Sequence, residues 1–387
     1  MRDELDALRA AGLYRVLRTV ERIGPMRARV AVSGRRRRRE VTLFCSNDYL
    51  GLSTDPRLAK AAREAMERYG WGAGAARLIS GTSPLHAELE SELARFEGAE
   101  AAIVFPTGYM TNLGAIMALV GEGDLVVSDR LNHASIIDAC RLSRAQFRVY
   151  PHGDVAALAR ILARRPKPRR TLVVTDGVFS MNGDLAPLRE IAALNAKHDF
   201  VLMDDEAHGT GVFGKKGRGA AEHLGVEDSV DVRMGTLSKA VGSIGGFVAG
   251  RRSLVELLVN KARSFIYSTA LPPAACAASL EGLRLIRKEP ALRKKLWGNV
   301  SLVRSALEKA GVPIPPVASP IIPIIVGDAR RAVQLSEAML NRGLLVSAVR
   351  PPAVPRGTSR LRLTVSAAHT AADIEHLCDA LRRELSG

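Results

Sequence analysis

The sequence is short of cysteine, of aromatic residues and of long apolar runs, and each shortage closes off a class of protein. Its four cysteines, Cys45, Cys140, Cys276 and Cys378, stand far apart, with no C-x-x-C pair and no histidine at metal-ligand spacing. That spacing argues against a disulfide framework and a zinc site and leaves them as core thiols. No apolar stretch approaches the roughly 20 residues that cross a bilayer. The first residues, Met-Arg-Asp-Glu-Leu-Asp, carry charge where the apolar region of a secretory signal begins, so the reading is a cytoplasmic protein.

Acidic residues are also in deficit. Fifty-six Lys and Arg stand against 40 Asp and Glu, a net charge of +16, and Arg35 to Arg39 are five consecutive arginines. A balance of this kind raises nucleic acid or a membrane surface as partner. The block is short, aromatics make up only 4% of the chain, and other arginines are dispersed along helical patterns, which argues against both. Gly34-Arg35 reads as a hairpin turn between extended segments 28–32 and 41–44. What survives is a basic surface that attracts an anionic substrate, such as a coenzyme A thioester or an acidic carrier protein.

What is present is a globular composition, 47% hydrophobic and 25% charged, over 387 residues, enough for two domains. Apolar residues at 5, 8, 13, 17 and 20 predict a helix over 5–23, and a second helix follows over 56–69. The glycine-rich stretch 70–81 reads as an irregular loop. Strand and helix patterns then alternate, with strands at 101–105, 125–128, 146–150, 171–175, 200–203, 230–234 and 246–249 and helices at 112–120 and 134–142. Such alternation predicts a mostly parallel sheet sandwiched by helices, with ligands at the carboxyl ends of its strands. After Pro272-Pro273 the pattern changes to a helix at 274–287, a charged segment at 288–309, strands at 321–326, 344–349 and 360–365, and helices at 329–341 and from 370. The expected organisation is an N-terminal helix and hairpin over 1–45, a large α/β domain over 46–285 and a small α+β domain over 286–387.

Two glycine motifs compete for attention. Gly209-Thr-Gly-Val-Phe-Gly214 matches a dinucleotide fingerprint, and Lys215 stands where a P-loop lysine would. The P-loop fails because Lys216 replaces the magnesium-binding hydroxyl, and the fingerprint fails because a loop rather than a helix follows. Just upstream, Met203-Asp-Asp-Glu-Ala-His208 ends a buried strand with three acids, which are costly unless a cation or donors meet them. Farther on, Lys239 sits among small and apolar residues in Gly235-Thr-Leu-Ser-Lys239. Alone it reads as a lysine whose ammonium reaches solvent; buried without a carboxylate, it becomes a neutral amine able to attack a carbonyl. Pyridoxal phosphate chemistry asks for a Schiff-base lysine, a carboxylate for the ring nitrogen and amides for the phosphate. Lys239, Asp205 and the helix start at Thr107, Gly108 and Tyr109 are the candidates.

These motifs, with Asn47-Asp-Tyr-Leu-Gly51, Asp129 to His133 and Gly177-Val-Phe-Ser-Met-Asn-Gly-Asp184, resemble the α-oxoamine synthases, fold-type I pyridoxal-phosphate enzymes, over essentially the whole chain. The resemblance implies that Lys239 binds the cofactor aldehyde and then moves protons at the substrate Cα. It implies that Asp205 pairs with the ring nitrogen, that His208 and Ser180 bond the ring 3-oxygen, that His133 stacks on the ring and that Thr236 approaches the phosphate. It further implies a homodimer with shared active sites, Ser268 and Thr269 reaching the partner's phosphate. Arg362 matches the arginine for the amino-acid carboxylate, with Asn47 near it, while Arg360 on the same strand face is the other candidate. Ser238 departs from the family's usual glycine. Motifs 44–52 and 350–365 look most like the member that condenses L-alanine with a pimeloyl thioester, on coenzyme A or acyl carrier protein, in the biotin pathway. The alternatives are a glycine acetyltransferase of the same family and a non-catalytic basic binding protein on the same fold.

Overall fold

The computed structural model describes residues 1–31, 38–164 and 166–385, so the turn expected at Gly34-Arg35 lies outside the described residues. The chain divides into two compact units. Met1–Gly51, Met181–Asp184 and Lys294–Gly387 form one, and Leu52–Ser180 with Leu185–Arg293 the other. Residues 1–45 and 294–387, which the sequence pattern separates, therefore fall in a single unit, while 286–293 belong to the other.

The N-terminal segment departs from expectation. A helix covers only Arg2–Ala10, Gly12 turns the chain at φ 68°, and Val20–Gly24 is a strand, β1. It pairs antiparallel with β2 (Arg27–Val30), which pairs antiparallel with β3 (Arg39–Leu43). The helical period over 5–23 was a coincidence of spacing that cross-strand pairing overrode.

The second unit is built on a seven-stranded sheet. Its strands are β4 (Ala101–Phe105), β5 (Leu125–Asp129), β6 (Gln146–Tyr150), β7 (Thr171–Asp176), β8 (Val201–Asp205), β9 (Val232–Thr236) and β10 (Gly246–Gly250). They lie in the order β4-β10-β9-β8-β7-β5-β6, with β5 to β9 parallel and β10 antiparallel to both neighbours. Leu172, Val173 and Val174 of β7 are all fully buried, as are Val126 and Val127 of β5. Consecutive buried residues mean that both faces of the sheet are covered. Each such side chain contributes about 1.5–3 kcal/mol of burial. From β5 the chain crosses to β6 on one side and later returns to β7 on the other, which opens a crevice at the carboxyl ends between β5 and β7. The helix Pro56–Tyr69 stands at its expected place because Asp55 accepts the Arg57 N–H and Pro56 opens the first turn.

In the first unit, β11 (Ile321–Gly327), β12 (Leu344–Leu345), β13 (Ser347–Val349) and β14 (Ser359–Thr364) follow. The run expected as one strand over 344–349 serves two sheets: β12 pairs parallel with β3, and β13 pairs antiparallel with β14. The segment expected only as charged is the helix Pro290–Lys309. Its apolar stripe, Leu296, Val300, Val303 and Leu307, is buried at helical spacing beneath the charges. Among the described residues, no helix is long and apolar enough to cross a membrane.

Candidate active site

The carboxyl ends of β5, β7, β8 and β9 surround a cavity of about 250 Å³. Thr107, Gly108, Tyr109, His133, Ser180, Asp205, His208, Thr236 and Lys239 line it, all within the second unit. Nine residues singled out along more than a hundred positions of sequence thus meet in one pocket, and each gets there for a local reason.

At one side is the start of the helix Gly108–Leu119. Thr107 caps it by accepting the Met110 N–H at 3.2 Å, which leaves the first amides of the helix without intrahelical partners. Those amides and the helix dipole make an anion site. The helix sits tightly on β10: a Cβ added to Gly246 would stand 2.3 Å from Thr111 Oγ1 and 2.8 Å from Gly108 Cα. Thr236, at the end of β9, donates its hydroxyl to Gly245 O at 2.8 Å and meets Ser238 Oγ at 2.8 Å. Ser238 is outside the left-handed region, so its backbone does not require the glycine it replaces, and its hydroxyl secures the turn before Lys239.

At the other side is Asp205, the last residue of β8. Alternation along the strand sends Asp205 into the pocket and turns Asp204 and Glu206 to the opposite face. Asn112 donates to Asp205 Oδ2 at 2.7 Å and the Ala207 N–H to Oδ1 at 2.9 Å. The carboxylate is thereby held with both oxygens engaged and 3% exposed. Behind it, both Asp204 and Glu206 crowd Gly177. Burial pushes both carboxyls up, Asp204 well above the ordinary range, with Glu206 adding to it.

His133 caps the helix Ala134–Leu142, its Nδ1 facing Ser135 Oγ at 2.7 Å, and its own N–H donates to Asp176 Oδ2 at 2.9 Å. Burial lowers the His133 pKa; Asp205 opposes that and Lys239 assists it, so the ring is neutral near pH 7. Burial raises Asp176, and the neighbouring Asp205 raises it further. Lys239 is half-buried in the turn that follows β9, where its carbonyl accepts the Gly242 N–H at 3.0 Å.

Three lining residues escaped the sequence reading: Asn112, Ser135 and Asp176. Asn112 lies one turn beyond Gly108 on the same helix face, which was a usable signal. Asp176 ends β7 as Asp205 ends β8, and the position at a strand's carboxyl end was its signal. Ser268 and Thr269 do not line this pocket; Ser268 Oγ faces Met110 Sδ at 3.8 Å, and Thr269 bridges to Ala76.

In the first unit, Arg362 donates to Asn47 Oδ1 at 3.2 Å. Its strand-face neighbour Arg360 is occupied otherwise, donating to Asn182 Oδ1 at 2.7 Å, to Met181 O at 3.2 Å and to Thr358 O at 3.0 Å.

The family model "Aminotransferase class I and II" matches residues 39–381. A curated relative, 8-amino-7-oxononanoate synthase of Geobacter sulfurreducens, is 52% identical over 98% of this chain and 96% of its own. Among solved structures, a variant of serine palmitoyltransferase from S. paucimobilis with bound PLP–myriocin is 34% identical at a TM-score of 0.93, covering 99% of this chain and 96% of that one. The structure of 8-amino-7-oxononanoate synthase from Francisella tularensis is 28% identical at a TM-score of 0.78, covering 89% and 98%.

Proposed function

The chain belongs to the aminotransferase class I and II family, and from that premise we propose that it is a pyridoxal 5'-phosphate-dependent α-oxoamine synthase condensing L-alanine with a pimeloyl thioester. The products are 8-amino-7-oxononanoate, carbon dioxide and the free thiol, a step of biotin biosynthesis in the cytoplasm. The observation that carries the reading is the convergence on one pocket of Lys239, the clamped Asp205 and the helix start at Gly108. The 52% identity with the 8-amino-7-oxononanoate synthase of G. sulfurreducens supports this member of the family, although among the solved structures the serine palmitoyltransferase, at 34%, is more similar than the Francisella tularensis synthase, at 28%.

The donor set fits the cofactor. A buried carboxylate held by two donors, a set of unpartnered helix amides and a lysine line one cavity, close to the roughly 300 Å³ at which small-molecule sites begin. When bound, the cofactor supplies a protonated ring that withdraws electrons from the substrate Cα. Asp205 would hold the proton on the ring nitrogen, because Asn112 and the Ala207 amide fix the position of its carboxylate. The amides of Gly108 and Tyr109, with Thr107 and Thr236, hold the phosphate, while Ser180 and His208 serve the ring 3-oxygen. Neutral His133 offers a flat, uncharged face to the ring. Lys239 would supply the amine for the cofactor's aldehyde and the base for the proton at the substrate Cα. Arg362, oriented by Asn47, binds the substrate carboxylate. Ser268 and Thr269 serve the phosphate of a second copy, which makes the working unit a homodimer.

Steady-state assays offering alanine or glycine with pimeloyl-, acetyl- and succinyl-coenzyme A test the reading, with pimeloyl-acyl carrier protein as a further donor. Preference for alanine with a pimeloyl donor supports it. Preference for glycine with acetyl-coenzyme A overturns it.

A further inference from the structure

The second unit holds a concavity larger than the Lys239 pocket. It is a cleft of about 720 Å³ at the opposite, amino ends of the parallel strands, reached by Leu125, Gln146, Thr171 and Val201, the first residues of β5, β6, β7 and β8. Val201 lines the cleft and Asp205, on the same strand, lines the pocket. Four residues of strand put the two roughly 13 Å apart through the sheet. The cleft therefore takes no part in the condensation site.

Its lining is strongly basic: Arg148, Arg164, Lys167, Arg169, Arg170 and Arg251 all border it. The reversed direction of β10 is what brings Arg251 here, since its carboxyl end lies beside the amino ends of the others. Some of this charge has a local use. Arg169 pairs with Asp124 at 2.9 Å, and Arg170 donates to Leu119 O at 2.6 Å. The side chains of Arg148, Lys167 and Arg251 have no partner among the described residues and are exposed. Against the cations stand Asp199 and Asp231, and Asp231 already accepts the Leu202 N–H at 2.9 Å. The helices Val155–Leu162 and Leu188–His198 also end at the cleft, each adding roughly half a negative charge. With Asp124, Asp199, Asp231 and both helix ends counted, about two positive charges remain unbalanced around one concavity. Like charges held together cost stability, and a bound polyanion removes that cost.

We propose that this cleft is a second ligand site for a small molecule bearing a di- or triphosphate group, such as a nucleoside triphosphate. The volume is that of a nucleotide-sized pocket, within the roughly 300–1,000 Å³ range of such sites. Separated cations suit several linked phosphates better than a single one. Apolar surface at Ile161, Pro166 and Pro168 supplies a wall for the rest of the molecule.

The test is calorimetric titration of the cofactor-loaded protein with sodium tripolyphosphate and, separately, with ATP, in about 150 mM salt and with EDTA present, where exposed long-range charge is screened. Two double variants are compared, Arg148→Glu with Lys167→Glu in the cleft, and Arg63→Glu with Arg383→Glu elsewhere on the surface, which change the net charge equally. Saturable binding of either ligand at one per chain, weakened at least ten-fold by the cleft variant and unchanged by the surface variant, supports the site. ATP binding more tightly than tripolyphosphate assigns part of the cleft to the nucleoside. Absence of saturable binding, equal weakening by both variants, or binding retained by the cleft variant overturns it. Unchanged cofactor absorbance and alanine turnover in the cleft variant establish that it is folded.

Discussion

Asn112 and Asp205, 93 positions apart in sequence, are joined by a buried hydrogen bond of 2.7 Å in which the amide donates to the carboxylate. Asn112 also donates to Ser135 Oγ at 2.9 Å, tying the helix that starts at Gly108 to the one capped by His133. Removing a hydrogen bond to a buried charged group costs about 1.5–3 kcal/mol. Asn112→Ala is therefore expected to weaken pyridoxal phosphate binding roughly ten-fold or more, read by titrating the apoprotein with the cofactor and following absorbance. Unaltered affinity would show that the Ala207 amide suffices to hold Asp205.

Lys239→Ala removes the amine that binds the aldehyde and moves the proton at Cα. Turnover should fall by at least about a thousand-fold, the visible absorbance of the lysine-bound cofactor should disappear, and the melting temperature should change little, since the side chain is only half-buried. A variant that keeps a tenth of the activity would refute this role.

The two arginines of β14 should separate cleanly. Arg362→Ala is expected to raise the KM for alanine by roughly 10–100-fold, the worth of a charge-assisted pair, with little effect on the acyl donor. Arg360→Ala loses contacts to Asn182, Met181 and Thr358 and should instead lower stability, by about 1–3 kcal/mol, measured by denaturant unfolding. The reverse outcome would exchange their assignments.

Gly246→Ala tests the seat of the phosphate-binding helix. The added Cβ meets Thr111 Oγ1 and the Gly108 backbone inside normal contact distance, and overpacking of this kind costs about 1–3 kcal/mol. Both the melting temperature and the cofactor affinity should fall, because the helix start is what the methyl group displaces.

Buried acids set the alkaline limit of stability. Glu97 is 2% exposed, and burial first, then the charge of Glu206, pushes its carboxyl up to about 8. In the unfolded chain it ionises near 4.3. The folded state thus binds more protons between those values, so stability falls as pH rises from about 4 through 8. Asp204 adds a slope of the same sign. Glu97→Gln should be more stable than the parent at pH 9, by a few degrees on the order of 1 kcal/mol or more, with the advantage shrinking toward pH 5. A melting-temperature series across that range checks it.

Much of the second unit was legible because its signals are local. Strands buried on both faces read as unbroken apolar runs, and the residues at their carboxyl ends, Asp205, Thr236 and His133, stand where such sheets place ligands. The first unit was harder. Val20–Gly24 has no burial pattern that distinguishes it from a helix until β2 lies beside it, and 344–349 splits only because two different sheets bid for its backbone. The stripe in Pro290–Lys309 was hidden by charge rather than absent.

The sequence by itself determined the chemistry on offer: a lysine among small residues, an acid ending a buried strand, and a glycine that opens a helix after a threonine cap. Tertiary structure decided which of these meet, and with what support. Asn112, Asp176 and Ser135 acquire meaning only when separate strand ends close on one cavity, since a hydrogen bond depends on position in space and not on distance along the chain. The same holds for the basic cleft. Its cations, from Arg148 to Arg251, are ordinary surface residues in sequence and a concentrated charge only where the amino ends of the strands bring them together.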